Sequence, residues 1–297
     1  MRYTLDRQGK GFSLLFVPHQ IGNRYSIFNH AIYLYVWGLT RKQTYWNSHT
    51  MLFDEVYWRE IYWREINQLR KEGVISFDIW LVLRQYSAWR KSLEPHVSPI
   101  DDHLPWITFS AIEFLESFLH KDMLVYEYGS GGSTLFFAER IRKIISCEHD
   151  TKWASKVLAT LETHKHKNYE LNILEPSENK DCNQKNSLDP DLYQSSSEIY
   201  QGFNFRGYVT SIDSFPERYF DLILIDGRAR PSCCKHALPK VKEGGYIMLD
   251  NSERPQYKDG QELLNQNGNR VDFYGPGPYN RYFWQTSIWQ LYFWERP

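Results

Sequence analysis

The chain has 297 residues, 42% of them hydrophobic, with 35 Lys and Arg against 36 Asp and Glu. That length holds one large domain, or a domain with an extension, around a sizeable core. The net charge of −1 gives no electrostatic attraction for nucleic acid or an anionic membrane surface, so neither is expected as a partner.

The opening stretch MRYTLDRQGKGFSLLFVPHQIGNR has no basic run leading into a long apolar segment and cleavage site, so no secretory leader is expected. The apolar run YSIFNHAIYLYVWGL (25–39) is broken by Asn29 and His30 and is too short to span a bilayer. A soluble, cytoplasmic protein is the expectation. Cys147, Cys182, Cys233 and Cys234 show no zinc spacing, and two of them are adjacent, so they read as free thiols acting as small buried hydrophobes. Residues 1–100 carry no recognisable chemistry and read as a helical, aromatic-rich N-terminal extension. Within it VYWREIYWRE (56–65) nearly repeats five residues. Five residues turn a helix by about 140° beyond a full turn, so the two copies face differently and a solenoid is excluded. That much aromatic surface implies packing on the main domain or across a homodimer. FDIWLVLRQYSAWRKSL (77–93) reads as a second helix, stopped by Pro95 and Pro99.

From residue 101 the pattern becomes regular. Pro105 suits the first turn of a helix that carries Ile107, Ala111, Phe114, Leu115 and Phe118 at helical spacing. Strands MLVYEY (123–128), KIISCE (143–148) and NYELNIL (168–174) alternate with helices STLFFAERI and TKWASKVLATLE. A polar segment, 176–205, follows as a long loop insertion or lid. FDLILIDG (220–227) is apolar without alternation, as a central parallel strand covered on both faces requires. PSCCKHALPKV is a helix, GGYIMLDN a strand and DGQELLNQNG a short helix. Strands RVDFYG and TSIWQLYFWE close the chain. Alternating strands and helices give a doubly wound α/β fold over 101–297.

The strand–turn–helix VYEYGSGGSTLFF invites a ligand to approach the backbone. It lacks the lysine of a phosphate-binding P-loop, and Thr134 stands where a dinucleotide fingerprint has its third glycine. Glu127 just before the turn would repel a pyrophosphate and suits a cofactor with a positive charge. Glu148, ending the second strand, is placed to accept ribose hydroxyls. In order along the chain, VYEYGSGGST, ISCEHD, YFDLILIDGRAR and KEGGYIMLDNSE resemble class I S-adenosylmethionine-dependent methyltransferases over roughly 105–297. The resemblance implies a Rossmann-like, mostly parallel seven-stranded sheet. It implies that Glu127, Gly129, Ser130 and Gly131 line the methionine end of the cofactor, and that Glu148 and His149 lie at the ribose. It also implies that Asp213, in SIDSF, meets the adenine amino group.

Ligands of open α/β sheets bind beyond the carboxyl ends of the strands. Asp226 and Asp250 end two strands that the family places side by side, and with Asn251 they offer oxygen ligands suited to Mg²⁺. The set is similar to the Asp…Asp-Asn metal site of catechol-type O-methyltransferases, except that Ala229 stands where those enzymes carry a lysine. Asp226 is expected to touch the cofactor as well as the metal, and Asp226, Asp250 and Arg228 form the expected catalytic set. The alternative is that the carboxylates hydrogen-bond the loops. Arg228, Arg230 and Arg254 suit an anionic substrate or, equally, pair with the neighbouring acids. His103 is a second candidate proton acceptor, and His236 is not expected to act as a base. Tyr274, Tyr279, Tyr282 and Trp284 in FYGPGPYNRYFWQTS offer aromatic walls for a sugar or planar ring, or packing for the extension. The expected activity is methyl transfer to an oxygen of a small or saccharide-like acceptor. The rivals are an NAD(P)-binding oxidoreductase and a non-catalytic binding protein of the same fold.

Overall fold

The computed structural model describes residues 50–73, 78–179 and 189–292. The apolar run at 25–39, the absence of a leader and Cys182 lie outside the described residues. The described residues all belong to one compact unit, His49–Pro297.

Two helices come first, α1 (Thr50–Lys71) and α2 (Ile79–Ser92). Asp78 caps α2 by accepting from the amides of Trp80 and Leu81. As the five-residue repeat predicts, its copies face differently: Trp58 and Tyr62 are buried while Tyr57 is exposed. The buried rings meet Trp89 of α2, Trp58 edge to face at 5.9 Å and Tyr62 tilted at 4.9 Å. Three hydrogen bonds tie the two helices to a loop near the other end of the chain. Trp89 Nε1 donates to Asn280 O (2.8 Å), Tyr279 N to Ser92 Oγ (3.1 Å) and Phe283 N to Glu65 Oε2 (3.1 Å).

The next helix, α3, runs Phe109–Phe118 and does not begin at Pro105. Thr108, just before it, is held extended (φ −62°, ψ 146°), with its N–H donating to Thr286 Oγ1 and its Oγ1 to Phe273 O. Then follow β1 (Leu124–Tyr128), α4 (Gly132–Arg140), β2 (Lys143–Glu148), α5 (Thr151–Thr163) and β3 (Tyr169–Ile173). A two-residue pair, β4 (Ser177–Glu178) with β5 (Phe203–Asn204), closes the base of the polar insertion, and α6 (Arg206–Thr210) leads out of it. Buried Phe205 and half-buried Tyr193, Tyr200 and Phe203 seal that insertion onto the core, so four rings outweigh its polar composition. The remaining elements are β6 (Phe220–Ile225), α7 (Arg230–Ala237), β7 (Val241–Asp250), α8 (Lys258–Asn265), β8 (Gly268–Gly275) and β9 (Trp284–Leu291). β7 starts at Val241, earlier than its sequence suggests, because a register shift between Phe220 and Leu222 keeps the pairing across the bulge.

Seven strands form one sheet in the order β3-β2-β1-β6-β7-β9-β8. The first five are parallel, and β9 is antiparallel to both neighbours. This is the doubly wound, mostly parallel seven-stranded sheet expected of the sequence. β1 and β6 are both buried along nearly their whole length, and a separate hydrophobic cluster covers each face of the sheet. The chain winds outward from β1 to β3 and then returns to the other side of β1 as β6. The switch point lies between β1 and β6, where open α/β sheets receive ligands. Among the described residues no helix is long and apolar enough to cross a membrane. Cys147, Cys233 and Cys234 are buried and free.

Candidate functional site

A cleft of about 540 Å³ opens over the switch point, within the size range of small-molecule sites. Gly129–Ser133, Glu148, His149, Asp226, Arg228, Asp250 and Asn251 all line it. Two glycines let its floor close. Gly129 sits at φ +97°, and a Cβ there would stand 3.2 Å from the Cα of Gly227. A Cβ on Gly227 would in turn run into the hydroxyl of Tyr208 at 1.9 Å. The turns after β1 and β6 therefore touch backbone to backbone.

Glu127 is not at the cleft. Strand alternation turns it inward onto the face shared with Val125, where it is fully buried. There it anchors the glycine turn. Gly131 N donates to Thr134 Oγ1 (3.0 Å), Thr134 Oγ1 donates to Glu127 Oε1, and Ser146 Oγ donates to the same oxygen (2.6 Å). Thr134, which breaks the dinucleotide fingerprint, is the link that fixes the turn. Burial pushes the Glu127 carboxyl up to about 7, against the pull of the Ser146 and Thr134 hydroxyls. Its other oxygen, Oε2, has no hydrogen-bond partner.

Glu148 does reach the cleft. Its Oε2 accepts from Ser130 N (2.8 Å) and Ser130 Oγ (3.1 Å), and its Oε1 from His149 N (2.7 Å) and Asp150 N (2.9 Å). Burial alone would raise this carboxyl, but the donors of His149, Ser130 and Asp150 outweigh it and hold the group below its usual range. Asp150 also caps α5 through the amides of Lys152 and Trp153. Trp153 then donates from Nε1 to Ser130 O (2.6 Å), which braces the turn from outside. His149 Nδ1 lies 2.7 Å from Glu148 Oε1 without making a hydrogen bond, and its Nε2 pairs with Tyr200 OH at 2.8 Å. Tyr200 and Ile199 bring the insertion over this end of the cleft, with Ile199 73% exposed. Nothing in their polar sequence context marks them. Asp213 does not line the cleft, since its carboxylate is taken by His236 Nδ1 at 2.9 Å.

At the other end, Asp226 and Asp250 follow paired residues of β6 and β7. The residue between them is Arg230. Its Nη2 pairs with Asp226 Oδ1 (2.9 Å), and its Nη1 donates to Asp250 O and to Asn251 Oδ1 (3.3 Å) and lies 3.9 Å from Asp250 Oδ2. Asp250 Oδ1 is also filled, by Trp284 Nε1 (2.8 Å) and Thr286 Oγ1 (2.7 Å). The expected Mg²⁺ site does not fit these residues. A buried guanidinium already draws on all three proposed ligands, and a divalent cation beside it would meet its full charge. Among the described residues no cluster of three or more His, Cys, Asp or Glu stands ready for a metal.

Burial and the charge of Asp250 push the Asp226 carboxyl well up, and Arg230 offsets only part of this. Burial likewise raises Asp250 against Arg230 and its two hydrogen-bond donors. The side chain of Asp226 is 27% exposed, and its Oδ2 accepts no hydrogen bond among the described residues. It is the carboxylate of the pair that faces the cleft. Arg228 and Arg254 line the cleft as well, with Trp106, Asn280, Tyr282 and Trp284 as its walls. Tyr274 and Tyr279 do not line it. Tyr279 OH is bound to Asp102, and His103 is paired with Glu139.

No protein-family model and no curated protein matches the chain. Solved structures resemble it. The O-methyltransferase TomG from Streptomyces achromogenes, involved in tomaymycin synthesis and solved with S-adenosylmethionine, is 14% identical, with a TM-score of 0.45 over 69% of this chain and 90% of that one. A Klebsiella pneumoniae protein provisionally assigned as an O-methyltransferase gives 14% and 0.45 over 80% and 100%. A Streptococcus mutans protein provisionally assigned as a methyltransferase, in complex with SAH, gives 14% and 0.41 over 61% and 96%. At such identities and TM-scores the likeness carries no argument about this chain's activity; what stands is its own doubly wound, mostly parallel seven-stranded sheet with one antiparallel strand.

Proposed function

We propose that the chain is an S-adenosylmethionine-dependent methyltransferase acting on an oxygen of a small or saccharide-like acceptor. The observation that carries the reading is the carboxylate of Asp226, open to the cleft beside the glycine turn, with Glu148 on the other side. A pyrophosphate on that turn would face the carboxylate of Asp226, whereas a cofactor with a sulfonium and an ammonium group gains from it. Glu148, a ribose partner in dinucleotide enzymes as well, does not separate the two.

The residues fit such a cofactor. Gly129–Gly131 provide backbone without side chains in the way, and Glu148 is fixed at the end of β2 where a ribose diol is held in this fold. Of the four donors to Glu148 only the Ser130 hydroxyl can rotate away, so a ribose hydroxyl reaches the carboxylate by replacing it. When bound, the cofactor supplies an electrophilic methyl group. The protein supplies position, which accounts for most of the catalysis in an in-line displacement. Asp226 Oδ2, free of donors among the described residues and raised in affinity for a proton, takes the hydroxyl proton of the acceptor. Arg230 holds Oδ1 and so keeps the carboxylate in place. Trp106, Tyr282 and Trp284 give the acceptor aromatic walls.

Calorimetry with S-adenosylmethionine, S-adenosylhomocysteine and NAD tests the proposal. Binding of the first two is expected in the micromolar range, about −8 kcal/mol. Glu148→Gln is expected to weaken it by about 1.5–3 kcal/mol, the range for hydrogen bonds to a charged group. A protein that binds NAD and ignores both sulfur compounds sinks the reading.

A further inference from the structure

Beside the cleft, behind Gly227 and Arg228, lies a second cavity of about 240 Å³. Its lining is basic and polar, with Arg228, Arg230 and Arg254, a run of three serines (195–197) and two glutamines, and without a carboxylate. The three arginines are not equivalent. Arg230 is neutralised by Asp226 and Asp250. Among the described residues Arg254 has only Glu253, at 3.7 Å. Arg228 has no ion pair among the described residues: its Nε is 3.4 Å from His149 Nε2, and its guanidinium lies 5.2 Å from the ring centre of Tyr200.

Two further features point into the same space. Helix α7 begins here, and its N-cap, Ala229, contributes no side-chain hydrogen bond to the first turn. Gln194 is only 8% exposed, and its Oε1 has no hydrogen-bond partner. Its Nε2 also donates to none of the described residues and, unlike Oε1, is not sealed off, so the N–H groups of this amide are what a ligand in the cavity can reach. Guanidiniums and the unpaired N–H groups of Gln194 together match a ligand that accepts hydrogen bonds and carries negative charge.

We propose that this cavity is an oxyanion subsite, which anchors a carboxylate, sulfate or phosphate group of the molecule presented to the cleft. Gly227, Arg228, Arg230 and Arg254 line both spaces, so an acceptor held by its acidic group in one extends directly into the other. That the anchored molecule is a methyl acceptor rests on the function proposed above. The oxyanion site itself does not.

The test uses the full chain and three probes: sodium phosphate, sodium sulfate and sodium acetate. Thermal unfolding is followed against sodium chloride at matched ionic strength, with S-adenosylhomocysteine binding measured in parallel. At least one oxyanion is expected to raise the melting temperature with saturation. Arg254→Gln and Gln194→Leu are each expected to weaken that effect about tenfold or more, as loss of a hydrogen bond to a charged group does. Gln194→Leu, whose side chain does not line the cleft, is expected to leave S-adenosylhomocysteine binding unchanged. A rise that is linear in salt and equal in both variants is general ion exclusion and overturns the subsite. If S-adenosylhomocysteine binds and no oxyanion effect saturates, the subsite is wrong and the methyltransferase reading stands. Saturable oxyanion binding in a protein that ignores S-adenosylhomocysteine does the reverse.

Discussion

Replacing Thr134 with valine keeps the shape of a buried side chain and removes one hydroxyl. In the structure that hydroxyl accepts from Gly131 N and donates to Glu127 Oε1, so the substitution strands one buried amide and takes one donor from a buried carboxylate. Each loss costs about 1–3 kcal/mol, and the added methyl returns roughly 1 kcal/mol of burial, leaving a net destabilisation of about 1–5 kcal/mol. For a domain of this size that is a fall of about 2–20 °C in melting temperature. The sign with pH follows from Glu127. Its folded value, about 7, lies above the usual 4.5, so its contribution to stability is fully present below the unfolded value and is lost as pH rises through 7. Without the Thr134 hydroxyl the ionised form is worse accommodated and the folded value moves further up. The deficit of the variant is therefore expected to grow between about pH 6 and pH 8, with Thr134→Ser restoring most of it. Urea unfolding at the two pH values measures this directly. A deficit below about 0.5 kcal/mol, or one that does not change with pH, would show that the turn does not depend on this relay.

Other substitutions probe the remaining parts. Ser130→Ala removes the hydroxyl that competes for Glu148 and is expected to leave S-adenosylhomocysteine affinity unchanged or to raise it by up to about 1 kcal/mol; a tenfold loss would mean that Ser130 itself holds the ligand. Trp89→Ala empties a fully buried site between the first two described helices and strands the carbonyl of Asn280, and should cost about 3–5 kcal/mol in chemical unfolding. Turnover to S-adenosylhomocysteine should be insensitive to EDTA and to added Mg²⁺, because Arg230 supplies the positive charge between Asp226 and Asp250; activity lost to EDTA and restored by Mg²⁺ would refute that assignment.

The sheet was legible because each of its parallel strands is an apolar run bounded by turn residues, and its ligand-facing acids stand at strand ends that any α/β topology exposes. Glu148, Asp226 and Asp250 could thus be located from position alone. What they bind to could not. A carboxylate pair at adjacent strand ends reads the same whether a metal ion or an arginine fills the gap, and Arg230, four residues after Asp226, reaches that gap only because Ala229 takes a left-handed conformation (φ 47°) before α7 begins. Glu127 was misplaced for a different reason. Its place before the glycine turn is fixed by sequence, but the face of β1 it occupies is fixed by which neighbours are buried, and the flanking strand is apolar on both sides. Asp213 fell away from the cleft because the insertion before it has no period from which to project a direction.

The ties between the first described helices and the C-terminal loop bear on how the protein is made. Trp89 and the Asn280 carbonyl are separated by 191 residues. At typical synthesis rates of about 5–20 residues per second, Trp58, Tyr62 and Trp89 leave the ribosome about 10–40 s before the loop that covers them exists. For that interval the chain displays an aromatic surface whose partner is unsynthesised, and this is the state in which nascent chains recruit chaperones or associate with one another. Ribosome-bound chains halted before residue 276 should therefore be captured by chaperones through α1 and α2, and release should follow once β9 has been made.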